Sequence, residues 1–154
     1  LLMAIGPTLK RRATPAQARP LLQSFEKDLT NLHTQLKNLI TKDAQAYNAY
    51  ITASKLPKED PSRPHALQES LWLAACVPVD TAKVCMQVLK QLDECKPHIA
   101  TIIMSDVSCA KHLLQGAIQC CRENIQVNMK QLTHPDRVNI LQEQLTILAT
   151  VQSL

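Results

Sequence analysis

Three pairs of polar residues interrupt otherwise apolar helical patterns, and their side chains can move protons or recognise a ligand. The pairs are Asp43 with Tyr47, Ser105 with Asp106, and Asn124 with Asn128. A carboxylate can accept and return a proton, and hydroxyl and amide groups can hydrogen-bond a ligand. The pattern also allows structural roles: a carboxylate paired with a lysine, a helix cap at Ser105, and asparagines that fix helix register. Both kinds of role stay open on the pattern alone.

Asp43 interrupts the apolar stripe of the longest helix that the sequence predicts. Steps of four and three residues place these apolar side chains on one face: Phe25, Leu29, Leu32, Leu36 and Leu39. The next step reaches Asp43, and Tyr47 and Tyr50 lie one and two turns further along the same side. Because a buried carboxylate is costly unless it is paired, protonated or facing a polar cavity, we expect this helix to line a cleft at Asp43.

Proline signals place the ends of this spine helix. Thr14 to Gln17 fits a capping box, and the regular helix is expected from Pro20 to about Ser54. Leu56-Pro57 cannot continue it, so Lys55 and Lys58 should lie at a fixed helix end beside the cleft.

Three further helices are expected, and each carries an apolar face. Their bounds are Pro64 or His65 to Cys95 with a kink or break at Pro78, Ser105 onward, and a final helix that His134-Pro135-Asp136 separates from the third. The inner face of the third is predicted at Ala110, Leu113, Ala117, Cys120, Asn124 and Asn128. The fourth should pack through Val138, Leu141, Leu145 and Leu148.

Composition favours an all-α protein. Only two glycines and one phenylalanine occur in 154 residues, which leaves few strand and hairpin signals. We therefore predict one domain over residues 1–154, folded as an antiparallel helical bundle around the spine helix.

Charge and cysteine usage exclude several classes of protein. The net charge of +4 comes with only 3% aromatic residues, which offers no stacking platform for nucleic acid. No apolar run of about 20 residues and no signal peptide are found, so no membrane partner is expected. The six cysteines form no Cys-x-x-Cys pair, which argues against a metal site and favours the reducing cytoplasm, with the thiols acting as small hydrophobes.

Five short motifs occur in one order along the chain. The first runs from Asp43 to Lys58 and reads Asp-Ala-Gln-Ala-Tyr, followed by Lys-Leu-Pro-Lys. The others are Ala66-Leu67-Gln68-Glu69, Val77-Pro78 with Thr81-Ala82, Ser105-Asp106, and Asn124-Ile-Gln-Val-Asn128-Met. Together they resemble the signature of the formiminotetrahydrofolate cyclodeaminase and methenyltetrahydrofolate cyclohydrolase family. The likeness covers about Lys37 to the C-terminus.

The resemblance implies an all-helical fold that forms a homodimer or higher homo-oligomer and binds a tetrahydrofolate derivative between helices. It implies Asp43 as the catalytic carboxylate, with no metal and no cofactor beyond the tetrahydrofolate substrate. The expected substrate-binding residues are Tyr47, Lys55, Lys58, Ser105, Asp106, Asn124 and Asn128. Among them, Tyr47 would contact the pterin, the asparagines its amide edge, and the lysines the glutamate tail.

The implied activity is folate one-carbon chemistry. The enzyme would cyclise 5-formiminotetrahydrofolate to 5,10-methenyltetrahydrofolate with release of ammonia, or hydrolyse methenyltetrahydrofolate. The family's glycine-rich helix start is not found ahead of Asp43, so we expect the domain to be incomplete at its N-terminus. The alternative is a non-catalytic helical dimerisation module that still binds folate.

Overall fold

The protein is described by a computed structural model that covers residue 8 and residues 15–150. These residues form four α-helices and no strand. The helices are α1 (Arg19–Ser54), α2 (Arg63–Cys95), α3 (Met104–Met129) and α4 (Pro135–Ala149), with 3₁₀ turns at Ala16–Ala18, Lys96–His98 and Thr101–Ile103. The predicted all-α helical bundle is confirmed.

Helix α1 is the predicted spine. It begins one residue before the predicted start, with Pro20 in its first turn, and it ends at Ser54 as expected. The stripe residues Phe25, Leu29, Leu32 and Leu39 are buried. Thr14, which opens the predicted capping box, lies outside the described residues.

Helix α2 runs antiparallel to α1. Gln91 Nε2 donates to Asp28 Oδ2 over 2.9 Å near one end of the pair. Near the other end, Tyr50 and Leu71 line one cavity. The break considered at Pro78 does not occur, because the helix continues from Arg63 to Cys95 with the proline buried inside it.

Both sides of α2 are buried. One side packs with α3 and α4, and the other packs with α1. The segment Arg63–His98 is long and apolar enough to cross a membrane by length and composition, with a mean hydropathy of 1.3 in one 18-residue window. The expectation that no apolar run approaches about 20 residues is wrong for this segment. Half of that window is buried inside the protein.

The predicted inner face of α3 is wrong by about one residue. The buried residues are Val107, Ile118, Cys121 and Ile125, whereas Leu113 is 75% exposed and Cys120 is also exposed. Leu113-Leu114 and Cys120-Cys121 are adjacent apolar pairs, so the sequence offers two stripes. Packing against α2 selects the second member of each pair.

The start of α3 also differs from the prediction. The helix begins at Met104, its N-cap is Ile103, and that cap makes no side-chain hydrogen bond. Ser105 and Asp106 are exposed residues of the first turn, so the capping role considered for Ser105 is wrong. The connector before them contains a 3₁₀ turn at Thr101–Ile103.

Helix α4 packs as predicted. Leu141, Leu145 and Leu148 are buried, and Val138 packs against the same core while partly exposed. Arg137 fixes this helix to α2 through Glu69, with 2.7 Å between Nη2 and Oε1.

All six cysteines are free thiols. Burial raises the pKa of Cys85, and it raises the pKa values of Cys95 and Cys121 to about 11. These thiols therefore remain protonated at neutral pH and pack as small hydrophobes, as predicted. Cys109 and Cys120 are exposed and depart from that expectation.

The register of α3 can be tested with two truncations on neighbouring faces. Ile125→Ala should lower the free energy of unfolding by about 2–5 kcal/mol, because Ile125 is fully buried. His112→Ala should change it by less than about 0.5 kcal/mol, because His112 is exposed. Urea denaturation of both variants measures the difference. Equal losses would contradict the described register.

Candidate functional site

A cavity of about 350 Å³ lies where α1, α2 and α3 meet. Its walls are formed by Asp43, Tyr47, Tyr50, Leu71, Ala74, Pro78, Asn124, Asn128 and Gln131. This volume is within the range of small-molecule sites, about 300–1,000 Å³. An apolar wall from α2 faces polar side chains from α1 and α3.

The cavity brings together two of the three polar pairs that the sequence singled out. Asp43 and Tyr47 come from α1, and Asn124 and Asn128 come from α3. Each pair is separated by one helical turn, so both of its side chains reach the same cavity.

The other predicted site residues do not line this cavity. Lys55 and Lys58 are exposed in the connector after α1, with Lys55 about two turns beyond Tyr47. Ser105 and Asp106 lie at the opposite end of α3, about 28 Å along the helix axis from Asn124 at 1.5 Å per residue.

Asp43 is exposed at the rim of the cavity, between the buried residues Leu39 and Ala46. No lysine or arginine of the described chain lies within 4.0 Å of its carboxylate. The lysine pairing considered as a structural role is therefore not observed there. The carboxylate is therefore accessible to a bound molecule.

The two tyrosines differ in exposure. Tyr47 is 63% exposed at the mouth of the cavity, whereas Tyr50 is partly buried and packs against the core. A mobile, exposed ring at the mouth can cover a planar ligand, and the more buried ring can form part of the wall.

Asn128 joins α3 to α2. Its Nδ2 donates to the backbone carbonyl oxygen of Ala74 over 3.1 Å. In a regular helix that carbonyl would accept from the N–H of residue 78, but Pro78 has no N–H. Asn124 is exposed at the rim and forms no hydrogen bond with the part of the chain that the structure describes.

Gln68 holds the connector between α3 and α4 beside the cavity. Its Nε2 donates to the carbonyl oxygen of Gln131 over 3.1 Å, and its Oε1 accepts from the backbone N–H of Thr133 over 2.8 Å. The Thr133 hydroxyl donates to the same oxygen over 3.1 Å. These bonds place Gln131 at the cavity wall.

Sequence reasoning assigned no role to Tyr50, Leu71, Ala74, Pro78 or Gln131 in the site. Pro78 and Gln68 were part of quoted motifs, and those motifs were the signal that pointed to this region. Ala74 and Gln131 contribute through wall position and backbone atoms, which a residue pattern does not reveal.

A second cavity of about 350 Å³ lies between α1 and α2 and contains none of the predicted site residues. It is lined by Gln35, Asn38, Leu39, Lys42, Asp80, Lys83, Val84 and Gln87. Across residue 8 and residues 15–150, no group of three or more His, Cys, Asp and Glu side chains has the arrangement of a metal site.

Comparison with known proteins decides the family. The family model for formiminotransferase-cyclodeaminase matches residues 1–146. The chain belongs to this family. The resemblance carried by the five motifs is thereby confirmed.

Curated relatives of this family are matched over part of their length. This chain is 32% identical to a formimidoyltransferase-cyclodeaminase of Sus scrofa over 103 residues, and the matched segment covers 64% of this chain and 19% of that protein. The protein of the same name from Rattus norvegicus is 33% identical over 103 residues, with the same shares. The match thus spans about a fifth of the length of these curated relatives.

A solved structure shows the same fold. The formiminotetrahydrofolate cyclodeaminase from Thermotoga maritima superposes with a TM-score of 0.87 at 21% sequence identity. The alignment covers 97% of this chain and 72% of that chain.

In this family member, the cavity combines an unpaired carboxylate, two asparagines, one glutamine and two tyrosines around an apolar wall. Such a set can hold a planar heterocycle by its faces and its polar edge while presenting one carboxylate to a proton-transfer step.

Proposed function

We propose that this chain is a folate one-carbon enzyme that cyclises 5-formiminotetrahydrofolate to 5,10-methenyltetrahydrofolate and releases ammonia. The observation that supports this most directly is the convergence of Asp43, Tyr47, Asn124 and Asn128 on one cavity in a member of this family. Hydrolysis of methenyltetrahydrofolate would use the same carboxylate with water as the attacking group. The name of the solved relative favours cyclodeamination.

Asp43 would move one proton during the reaction. The nitrogen of the formimino group on N5 is protonated; N10 of the folate attacks the carbon of this group, and Asp43 accepts the proton that N10 loses. Asp43 then donates this proton to the amino group, the carbon–nitrogen bond breaks, and ammonia leaves. The remaining methenyl group is a cation, and the carboxylate, again negative, stabilises it. No further cofactor is required.

The other residues around the cavity would hold the substrate. Tyr47 would cover the pterin, and Asn124 and Asn128 would hydrogen-bond its polar edge. Lys55 and Lys58, beyond the end of α1, would bind the glutamate carboxylates of a tail that leaves the cavity. We propose that the protein is cytoplasmic, because its six cysteines are free thiols and the cytoplasm keeps thiols reduced.

Asp43→Asn tests the proton transfer. It keeps the shape of the side chain but removes the base and the charge, so turnover to methenyltetrahydrofolate should fall by ~10²-fold or more. Stability should change by less than about 0.5 kcal/mol, because Asp43 is exposed and has no ion-pair partner in residues 15–150. Absorbance of methenyltetrahydrofolate and a thermal melt on one preparation provide both values.

Glu143→Gln is the matched control for Asp43→Asn. It removes the same charge from an exposed position on α4 and should leave turnover unchanged. Normal turnover by Asp43→Asn would remove Asp43 from the mechanism. Folate binding without turnover in the unmodified protein would support the non-catalytic alternative.

We propose that a second copy of the chain covers the exposed face of α3. Three apolar side chains on this face and on the turn before it are highly exposed: Leu113 by 75% and Val127 by 57% on α3, and Ile102 by 82% in the 3₁₀ turn at Thr101–Ile103. Cys109 and Cys120 are exposed on the same face, and no atom lies within 4 Å of where a Cβ on Gly116 would stand. A face of this kind is suited to close helix packing.

The spacing on this face favours an antiparallel pair. The apolar positions lie at nearly equal distances on either side of Leu114-Gln115, so a twofold axis there makes the face self-complementary. Ile102 then faces Val127 of the second copy, and Cys109 faces Cys120. Ser105 would face Asn124 of the second copy and Asp106 would face Glu123, which gives Ser105 and Asp106 a place beside that copy's cavity.

A short bifunctional maleimide tests this pairing with native thiols. It should join Cys109 of one copy to Cys120 of the other, so Cys109→Ser and Cys120→Ser should each abolish the cross-linked dimer. A parallel pair would keep a cross-link in one of these variants. Sedimentation that shows only monomer at micromolar concentration would contradict the dimer itself.

Co-expression of two inactive variants tests the shared site. Asp43→Asn and Asp106→Asn should each lower turnover alone. Mixed dimers contain one site with both carboxylates intact, so about a quarter of the unmodified activity should return if the pairing is random. No recovery in dimers shown to be mixed would place Asp106 outside the second copy's site.

A further inference from the structure

We infer that Pro78 orients Asn128 in the cavity by leaving the carbonyl oxygen of Ala74 without its helical donor. The helix continues through Pro78, so the carbonyl four residues earlier loses its usual backbone partner. Asn128 Nδ2 supplies the donor over 3.1 Å. All three residues line the cavity of about 350 Å³.

The proline also affects the direction of that carbonyl. A proline ring inside a helix collides with the carbonyl of the residue four positions earlier and turns it away from the helix axis. Thr81 reinforces the distortion of the same turn, because its hydroxyl donates to the Val77 carbonyl over 2.9 Å. The Ala74 oxygen is thus directed to α3.

This contact fixes which end of the Asn128 amide a ligand meets. One N–H of the NH₂ group donates to the Ala74 carbonyl oxygen, which orients the amide, and Oδ1 accepts no hydrogen bond from residue 8 or residues 15–150. Asn128 therefore presents an acceptor, which suits an N–H donor on the polar edge of a heterocycle. This step rests on the proposed function, in which that heterocycle is a pterin.

A proline inside a helix normally lowers stability, so the orientation of the Asn128 amide by Pro78 comes with a less stable helix. Pro78→Ala restores the N–H and lets the Ala74 carbonyl return to the helix ladder. The melting temperature should rise while the affinity for 5-formyltetrahydrofolate falls about tenfold, as for one lost hydrogen bond. If Pro78 had only a structural role, Pro78→Ala would not change the melting temperature and the affinity in opposite directions.

Two further variants complete the test. Pro64→Ala is the matched control, because Pro64 lies in the first turn of α2, where its missing N–H has no helical acceptor. It should leave the affinity unchanged. In an Asn128→Ala background, Pro78→Ala should raise the melting temperature but have no additional effect on affinity. Calorimetric titration and thermal melts measure these values.

Hydrogen exchange of the Asn128 side-chain amide gives a readout that needs no folate. The NH₂ protons should be protected in the unmodified protein and should exchange at least several times faster in Pro78→Ala. If the unmodified protein does not bind 5-formyltetrahydrofolate, the proposed function fails while this measurement still tests the orientation. Unchanged exchange, or unchanged affinity in a protein that binds, would overturn the inference.

Discussion

The burial of α2 on two sides is the constraint on which the rest of the structure depends. One side carries Leu71, Ala75, Val79, Ala82, Cys85 and Leu89, and the other carries Val84, Val88, Leu92 and Cys95. A fully buried aliphatic side chain stabilises a fold by about 1.5–3 kcal/mol, so these faces hold both neighbouring helices in place. Ala75 and Ala82 are fully buried and small, which permits close packing against α2.

The position of the cavity follows from this arrangement. Because α1 and α3 both run antiparallel to α2, their C-terminal halves lie at the same level beside the N-terminal half of α2. At that level, Asp43 on α1 and Asn124 on α3 lie exposed beside the buried stripes of their helices. Polar residues from two helices thus line one cavity. Beside the cavity, Gln68 holds the N-terminal part of α2 to the connector between α3 and α4, and the contact between Glu69 and Arg137 holds it to α4.

Features that depend on residues close together in the sequence were predicted correctly. The bounds of α1 were correct within one residue because Pro20 and Leu56-Pro57 act on their own turns. Asp43 was placed at a cleft because a carboxylate in an apolar stripe needs a polar environment.

Features that depend on packing or on distant residues were missed. The stripe of α3 could not be chosen from adjacent apolar pairs, since only contact with α2 distinguishes Leu113 from Leu114. Helix α2 passes through Pro78, and the donor that replaces the missing backbone bond comes from Asn128, 50 residues later in the chain. Neither the continuous helix nor the role of Ala74 can be read from neighbouring residues.

A crystal structure of the protein with 5-formyltetrahydrofolate tests the central claim most directly, namely that the three-helix cavity is a folate site. The account predicts a pterin between α1, α2 and α3, with Asp43 near the one-carbon group and Asn128 Oδ1 accepting from the pterin edge. A folate bound in the second cavity, between α1 and α2, with the three-helix cavity empty, would contradict it.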